Sequence, residues 1–373
     1  ATLTLTQELK GKDLTLYLDK ASTLNANSLT SKGASTINLN DKATLTLTDT
    51  FTSENLTLTL KNESNFKAQT LTASGVVNLN ADEKSKITLT TLDLKKGNLQ
   101  NISQNVDITT LKLTDSTANL ELLNGQIPKT INLNTQSNLY LKELNLNTNG
   151  LNLTSYETSK AHIRKLIYDA TNGTKTAPNS NLAVSEKFEL KNVGQNLSTT
   201  TGTQNTQGAP STPNADDEKL QKDLFALKFD KNLELKDGAK LDISFADKVT
   251  KENLLFDKDY KIFSASTLTS SNNLQINFTN SNGASFGGTD FFATGKFQGN
   301  AFLVEFRRDD PRNFGNLNPH IQNPAHSPLL EILLQHNKND ASIDKAINMS
   351  DYSTLNQRLA QIDTSLKTIA NAD

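Results

Sequence analysis

The sequence predicts an all-β fold, a right-handed parallel β-helix (solenoid), and three observations lead to this prediction. Leucine alternates with threonine or asparagine in short bursts, as in Leu3-Thr4-Leu5 and Leu56-Thr57-Leu58, and a period of two is that of a strand with one apolar face. The bursts begin about every 8 to 13 residues, with turn residues such as Gly11-Lys12-Asp13 between them. Only 35% of the residues are hydrophobic, which suits a narrow core with one inward residue for each outward one.

Evenly spaced short strands leave two architectures, an antiparallel sandwich or barrel and a solenoid. A sandwich needs two whole sheets of large apolar side chains and commonly uses two-residue Asn-Gly turns. In the repetitive first half, that dipeptide occurs only at Asn124-Gly125 and Asn149-Gly150. A repeat of about 20 to 24 residues, with two bursts in each coil, favours the solenoid. A generic all-β domain remains the alternative.

Changes in composition divide the rest of the chain from the regular β-helix, which we expect over residues 1–191. Residues 192–219 contain Gly, Pro, Thr and Asn and few apolar side chains, so they predict a low-complexity surface loop. Residues 220–310 predict a better packed β unit that caps the stack, because an open end would leave backbone groups unpaired. Phenylalanine is expected at its inward positions: Phe225, Phe229, Phe245, Phe263, Phe278, Phe297, Phe302 and Phe306. Hairpin-like turns are expected at Asp237-Gly238, Asn282-Gly283 and Gly299-Asn300.

Residues 311–373 predict a Pro/Asn-rich connector followed by helices. Ser327 is the expected N-cap of one helix, with Pro328 at its first position, and Asp340 is the expected cap of the next. From Tyr352 to Ile369 the apolar residues recur at spacings of three and four, which is typical of an amphipathic helix. Two roles are open for that helix: packing on its own hairpin partner, or docking against a domain outside these residues.

Charge and cysteine content exclude several classes of function. Lys and Arg total 38 against 40 Asp and Glu, so no basic field favours a nucleic-acid partner or an acidic membrane. The absence of cysteine excludes disulfides, thiol nucleophiles and cysteine-based zinc sites. The strand-like pattern begins at the first residues without a signal peptide or a transmembrane run, so we expect a fragment or a processed piece.

No catalytic, cofactor-binding or metal-binding residues are predicted. The segment 283–287 matches G-x-S-x-G, the nucleophile elbow, but strand-like sequence follows where an elbow needs a helix, so we interpret it as a turn. The acidic pairs Asp216-Asp217 and Asp309-Asp310 lie in loop-like sequence and are interpreted as solvated charge. An enzyme on the β-helix face would need a cleft with clustered acids and a base. The four histidines are scattered: His162, His320, His326 and His336. We therefore expect a non-enzymatic protein with no cofactor and no small-molecule substrate.

Three stretches resemble the vacuolating-cytotoxin-like autotransporters of Helicobacter and its relatives, a family of type V secretion. LYLKELNLNTNGLNLTSYETSKAHIRKL resembles the C-terminal coils of that family's passenger. LEILLQHNKNDASIDKAINMSDYSTLNQRLAQIDTSLKTIA is similar to its helical segment between passenger and translocator. The region Phe229 to Phe306 resembles the autochaperone-like β module that nucleates passenger folding during secretion.

This resemblance implies a passenger that is exposed on the cell surface or secreted, exported through the bacterial outer membrane by its own β-barrel translocator after Asp373. The apolar segment with small-xxx-small spacing that lets the family's toxin form channels is absent from these residues, as is the Gly-Asp-Ser-Gly of a protease passenger. The expected role is therefore adhesion to a host-cell surface receptor in colonisation and virulence. The alternative is the cell-binding half of a vacuolating-toxin-like protein whose active part lies upstream.

Overall fold

A computed structural model of the chain describes residues 1–123, 126–197, 215–271, 273–286, 291–308, 314–335, 340–348 and 351–370. The predicted parallel β-helix is confirmed by stacked parallel strands. The chain forms two compact units. The first comprises Ala1–Lys165 and Pro178–Ala183, and the second comprises Leu166–Ala177 and Val184–Asp373.

The first unit consists almost entirely of strands that belong to two parallel sheets. Its strands are β1 (Thr2–Leu5), β2 (Leu9–Gly11), β3 (Leu14–Leu18), β4 (Thr23–Ala26), β5 (Leu29–Ser31), β6 (Ala34–Leu39), β7 (Thr44–Ser53), β8 (Asn55–Leu60), β9 (Asn65–Ala73), β10 (Val76–Ala81), β11 (Lys86–Lys95), β12 (Asn98–Ile102), β13 (Val106–Thr114), β14 (Thr117–Asn119), β15 (Thr130–Leu133), β16 (Asn138–Asn145) and β17 (Asn152–Ser155). One sheet has the order β1-β4-β7-β9-β11-β13-β15-β17, and the other includes β3-β6-β8-β10-β12-β14-β16.

Residues of successive coils stand in register at the predicted repeat. Thr23 pairs with Thr44, Thr44 with Asn65, and Asn65 with Lys86, which is one coil every 21 residues, within the predicted range of about 20 to 24. The next residue along each strand is apolar and points inward, so Leu, Phe and Ile form columns that are almost completely buried. Burying each such side chain contributes about 1.5–3 kcal/mol, which makes the stack stable despite the low apolar content.

Buried serines form a second column, which the sequence analysis did not predict because it placed polar residues outside. The Ser116 hydroxyl accepts from the Gly97 N–H at 3.0 Å. Ser137 accepts from the Ser116 N–H at 3.3 Å, and Ser159 accepts from the Ser137 N–H at 3.0 Å. All three serines are at most 2% exposed. The corner of each coil would otherwise leave a buried N–H without an acceptor, which costs about 1–3 kcal/mol, and a serine is small enough to provide one.

The second unit combines parallel strands with an antiparallel sheet and helices. Two strands have residues in both units: β18 (Lys160–Asp169) and β20 (Leu182–Val193). The others are β19 (Lys175–Thr176), β21 (Leu227–Lys228), β22 (Asn232–Leu235), β23 (Lys240–Phe245), β24 (Asp259–Ser264), β25 (Thr267–Ser270), β26 (Gln275–Thr279), β27 (Phe292–Gln298) and β28 (Ala301–Arg307). The helices are α1 (Ala215–Leu224), α2 (Phe314–Leu317), α3 (Ser327–Gln335), α4 (Ala341–Asn348) and α5 (Tyr352–Ala370). Single 3-10 turns occur at Glu121–Leu123 in the first unit and at Ala170–Asn172, Asn318–His320 and Pro324–His326 in the second.

Parallel pairing is also found in the segment that was predicted as a cap. Strand β23 lies between β20 and β26, and β22 pairs with β25, all in parallel. Antiparallel pairing is found for β24 with β28 and for β28 with β27. The predicted cap over residues 220–310 is therefore part solenoid and part antiparallel sheet.

Phenylalanines fill the core of the second unit, as predicted for five of the eight positions. Phe229, Phe245, Phe263, Phe302 and Phe306 are at most 1% exposed. Phe225, Phe278 and Phe297 are less buried than predicted, since each is partly exposed. Phe188, on β20, also enters this core, with its ring centroid 5.2 Å from that of Phe263.

The predicted turns have different roles in the structure. Gly299-Asn300 joins the antiparallel strands β27 and β28 and is the expected hairpin. Asn282-Gly283 lies in a turn closed by an antiparallel bridge between Thr279 and Ser285. The hairpin prediction is wrong for Asp237-Gly238, because β22 and β23 pair with other strands and not with each other. Gly238, with φ +76°, instead lies at a corner of a coil.

The ends of the predicted loop 192–219 belong to regular elements. Asn192 and Val193 are the last residues of β20, and residues 215–219 begin α1. Glu, Lys and Gln in α1 have high helix propensity, so this polar sequence forms a helix. Residues 198–214 of that segment lie outside the described residues.

The helical region agrees with the sequence in extent but not in every cap. Helix α3 begins at Ser327, yet this serine has helical backbone angles (φ −59°, ψ −46°) and is not an N-cap. The chain enters α3 from the 3-10 turn that begins at Pro324, and the cap of that turn is Asn323, which accepts from the Ala325 N–H. The Asp340 cap of α4 is confirmed, since its carboxylate accepts from the Ser342 N–H at 2.8 Å.

Helix α5 presents its predicted apolar stripe, with two environments along it. Leu355 and Leu359 are fully buried in a cluster with α3 and α4, which agrees with packing on a helical partner. Leu366 and Ile369 are 51% and 65% exposed.

Candidate binding surface

A regular polar feature of the first unit is a column of threonines on the outer face of one sheet. Thr50, Thr70, Thr91, Thr110 and Thr130 stand in register on the adjacent strands β7, β9, β11, β13 and β15. All five are partly exposed. Neighbouring strands lie about 4.8 Å apart, so the threonine ladder, as we name these five residues, repeats a hydroxyl and a methyl group at that interval.

A second outward column runs beside the threonine ladder, two residues further along each strand. It consists of Thr52, Thr72, Asp93, Lys112, Asn132 and Thr154. The apolar residue between the two columns points inward in every coil; Phe51, Leu71 and Leu92, for example, are completely buried. The rigid core therefore fixes the spacing of both polar columns, about 6.6–6.8 Å apart along the strand.

The other sheet of the first unit carries an ionic and aromatic cluster. Arg164 donates from Nε and Nη2 to the two carboxylate oxygens of Glu121, both at 2.7 Å. His162 stacks on Tyr140 with the ring centroids 4.7 Å apart, and its Nε2 lies 3.2 Å from the side-chain oxygen of Asn138. The paired guanidinium and the ring stack fix these side chains on the surface. His162 is partly buried within this cluster.

The second unit has a cleft with a volume of about 460 Å³. Three of its residues are in register on adjacent parallel strands: Glu189 on β20, Asp242 on β23 and Asn277 on β26. Ser244, Thr279 and Ser285 add hydroxyls, and Phe278, Phe286 and Phe292 add aromatic surface. The three in-register residues are far apart in sequence, which is why the sequence analysis did not group them.

Ion pairs and hydrogen bonds hold the polar groups of this cleft in place. The Lys187 ammonium lies 2.5 Å from the Asp242 carboxylate, and Asn277 donates to that carboxylate at 2.7 Å. The hydrogen bond to Asp242 is the largest cause that raises the pKa of Lys187, so this lysine stays charged. Lys191 lies 3.7 Å from Glu189. Both lysines belong to β20, and the lining of the cleft contains the two carboxylates but neither lysine.

The serine, histidine and aspartate residues considered for chemistry from the sequence do not converge on one site. Ser285 is exposed and belongs to a turn and a β-bridge, which supports the interpretation of 283–287 as a turn as far as residue 286; Gly287 lies outside the described residues. His320 stacks on Tyr352, and the buried His326 lies 3.6 Å from Asp363. Asp216 and Asp217 lie in α1, whereas Asp309, Asp310 and His336 are outside the described residues.

Over the described part of the chain, no group of three or more His, Cys, Asp or Glu side chains could hold a metal ion. Within the same residues, no helix has the length and apolar character to span a membrane. Searches of family models, curated proteins and solved structures returned no match to this chain.

Proposed function

We propose that this chain is a non-enzymatic autotransporter passenger that mediates contact with host cells, with the threonine ladder as its binding surface. The observation that supports this proposal is the in-register alignment of five threonines across adjacent strands. A rigid array of identical groups can engage several groups of a partner at once, and linked weak contacts raise the overall affinity without any strong single contact.

The surroundings of the ladder favour binding over chemistry. Each threonine offers one donor and two acceptor sites but no group that titrates near neutral pH, and the neighbouring column contains one aspartate and one lysine, Asp93 and Lys112. The ladder therefore suits a hydrogen-bonding partner on a cell surface, and the export route through an outer-membrane translocator is part of the same proposal.

The test is binding of the fluorescently labelled chain to cultured epithelial cells. The triple variant Thr70→Val, Thr91→Val and Thr110→Val removes three hydroxyls and keeps the β-branched shape that the strands favour. We expect saturable binding of the parent chain, competed by unlabelled protein, and at least tenfold weaker binding of the variant.

The matched control is Thr15→Val, Thr36→Val and Thr57→Val, an in-register outward column on the other sheet. Equal loss of binding in both triple variants would contradict the ladder as the contact surface. Absence of saturable binding by the parent chain would contradict the host-contact function. A third variant, in which a Gly/Ser linker replaces residues 198–214, tests whether that segment contributes.

A further inference from the structure

We propose that the cleft of the second unit binds a neutral saccharide. This site is separate from the threonine ladder, and the proposal does not rest on the proposed function. Its basis is a concave surface in which hydrogen-bonding groups of three strands and aromatic side chains face the same volume.

The size of the cleft fits a small sugar ligand. Ligand pockets commonly have volumes of about 300–1,000 Å³, and the cleft has about 460 Å³. Such a volume accommodates one or two pyranose rings and is open enough for the chain of an oligosaccharide to continue into solvent.

The polar groups match the hydroxyls of a sugar ring. The carboxylates of Glu189 and Asp242 accept hydrogen bonds, and the side chain of Asn277 both donates and accepts. Because the three residues are in register, they present a row of groups at the strand spacing of about 4.8 Å. Adjacent hydroxyls on a pyranose can bridge neighbouring groups of such a row.

The aromatic lining matches the other half of a sugar, its C–H face. Phe278 and Phe292 are partly exposed and line the cleft together with the buried Phe286. Phe286 packs against Phe245 and Phe291, with centroids 4.4 and 5.1 Å away, so it is held in place before any ligand arrives. A preordered apolar wall lowers the conformational entropy lost on binding.

The charge of the cleft selects a neutral ligand. Lys187 is engaged by Asp242 at 2.5 Å and Lys191 lies 3.7 Å from Glu189, so neither cation is directed at an incoming anion. A sialylated, sulfated or uronic sugar would bring its negative charge next to two carboxylates, and this repulsion disfavours binding.

The experiment begins with an array of neutral, sialylated and sulfated oligosaccharides probed with the labelled full chain. The neutral oligosaccharide that gives the strongest signal is then titrated by calorimetry. We expect a Kd between about 10 μM and 1 mM. Asp242→Asn and Glu189→Gln should each weaken binding at least tenfold. Asp93→Asn, the same chemical change on the first unit, should leave the Kd unchanged.

A steric variant keeps the proposal testable if loss of the Lys187 partner disturbs folding. Ser285 is exposed and lines the cleft, so Ser285→Trp fills it and should abolish binding while leaving the urea midpoint unchanged. The proposal is overturned if no neutral oligosaccharide binds, if anionic oligosaccharides bind more tightly, or if Ser285→Trp binds like the parent. If the triple variant of Thr70, Thr91 and Thr110 loses cell binding but keeps its saccharide affinity, the loss is assigned to the threonine ladder and the saccharide site stands.

Discussion

The two units use the same alternation of inward and outward residues but fill their cores differently. In the first unit, columns of Leu, Ile and Val repeat every coil, and each coil contacts mainly the coils before and after it. In the second, Phe245 lies within 6.0 Å, between ring centroids, of Phe278, Phe286 and Phe306. Stability in a repeat stack is close to a sum of nearest-neighbour terms, whereas a shared aromatic cluster couples elements that are distant in sequence.

A stack of coils is filled mainly by aliphatic columns, whereas the unit that closes with antiparallel strands is filled by large aromatic side chains. Strand β28 contributes Phe302 and Phe306, and β24 contributes Tyr260 and Phe263, all at most 1% exposed. Large rings fill the volume that several small side chains would occupy in a coil. We therefore expect a core mutation to destabilise more strands in the second unit than in the first.

The largest effect is expected from Phe245→Ala in the second unit. Removing a fully buried phenylalanine typically costs about 3–5 kcal/mol, the sum of lost transfer free energy and a cavity. Because the ring contacts three others, hydrogen exchange followed by mass spectrometry should show faster exchange across β23, β26 and β28 together.

Leu89→Ala is the matched variant in the first unit. Leu89 is completely buried in β11, between Ala68 and Ile108, and its loss should cost about 2–5 kcal/mol. Faster exchange should be confined to β9, β11 and β13. Exchange that spreads over the whole first unit would contradict the nearest-neighbour description of the stack.

An intermediate effect is expected from Ser116→Ala, which interrupts the serine column. The Ser116 hydroxyl accepts from the N–H of the buried Gly97 and lies 2.7 and 2.9 Å from the carbonyls of Thr114 and Leu94, to which it can donate. Alanine therefore leaves the Gly97 N–H without this acceptor. The expected loss in the free energy of unfolding is about 1–3 kcal/mol, measured by urea denaturation. Ser74 is exposed, so Ser74→Ala should change the free energy of unfolding by no more than about 0.5 kcal/mol. An equal loss in both variants would contradict a stabilising role of the serine column.

The fold was predictable because its main signal is local. The alternation in Leu56-Thr57-Leu58 and the 21-residue recurrence depend on residues that lie within one or two coils, and both were visible in the sequence. The helix that contains Tyr352–Ile369 was predictable for the same reason. By contrast, the serine column was not predicted, since one buried serine per corner looks like ordinary turn composition.

The cleft was not predictable, because strand register over long separations decides which residues meet. Glu189 and Asp242 are both polar residues between two apolar ones, Phe188-Glu189-Leu190 and Leu241-Asp242-Ile243, a pattern shared by many outward positions. Only the pairing of β20 with β23 brings the two together. The pairing of Arg164 with Glu121, 43 residues apart, was hidden in the same way.

The smallest effect is expected from Glu305→Gln, which tests how the stability of the antiparallel sheet in the second unit depends on pH. Glu305, on β28, lies opposite Asp259 of β24 and Thr294 of β27. Burial raises the pKa of its carboxyl above the ordinary value, against the opposing effect of Arg307. The folded state therefore holds the proton at a higher pH than the unfolded chain does, and this glutamate costs stability once it is ionised.

Glu305→Gln should accordingly raise the free energy of unfolding at pH 7, measured by urea denaturation. The gain should be less than about 1 kcal/mol because the site is partly solvated. The gain should shrink as the pH falls through the raised folded pKa and vanish by about pH 3, where the carboxyl is protonated in both states. The exposed Glu186→Gln provides the comparison at each pH. A gain that is constant from pH 7 to pH 4 would assign the effect to altered packing of the amide, and the desolvation of Glu305 would then not limit the stability of this sheet.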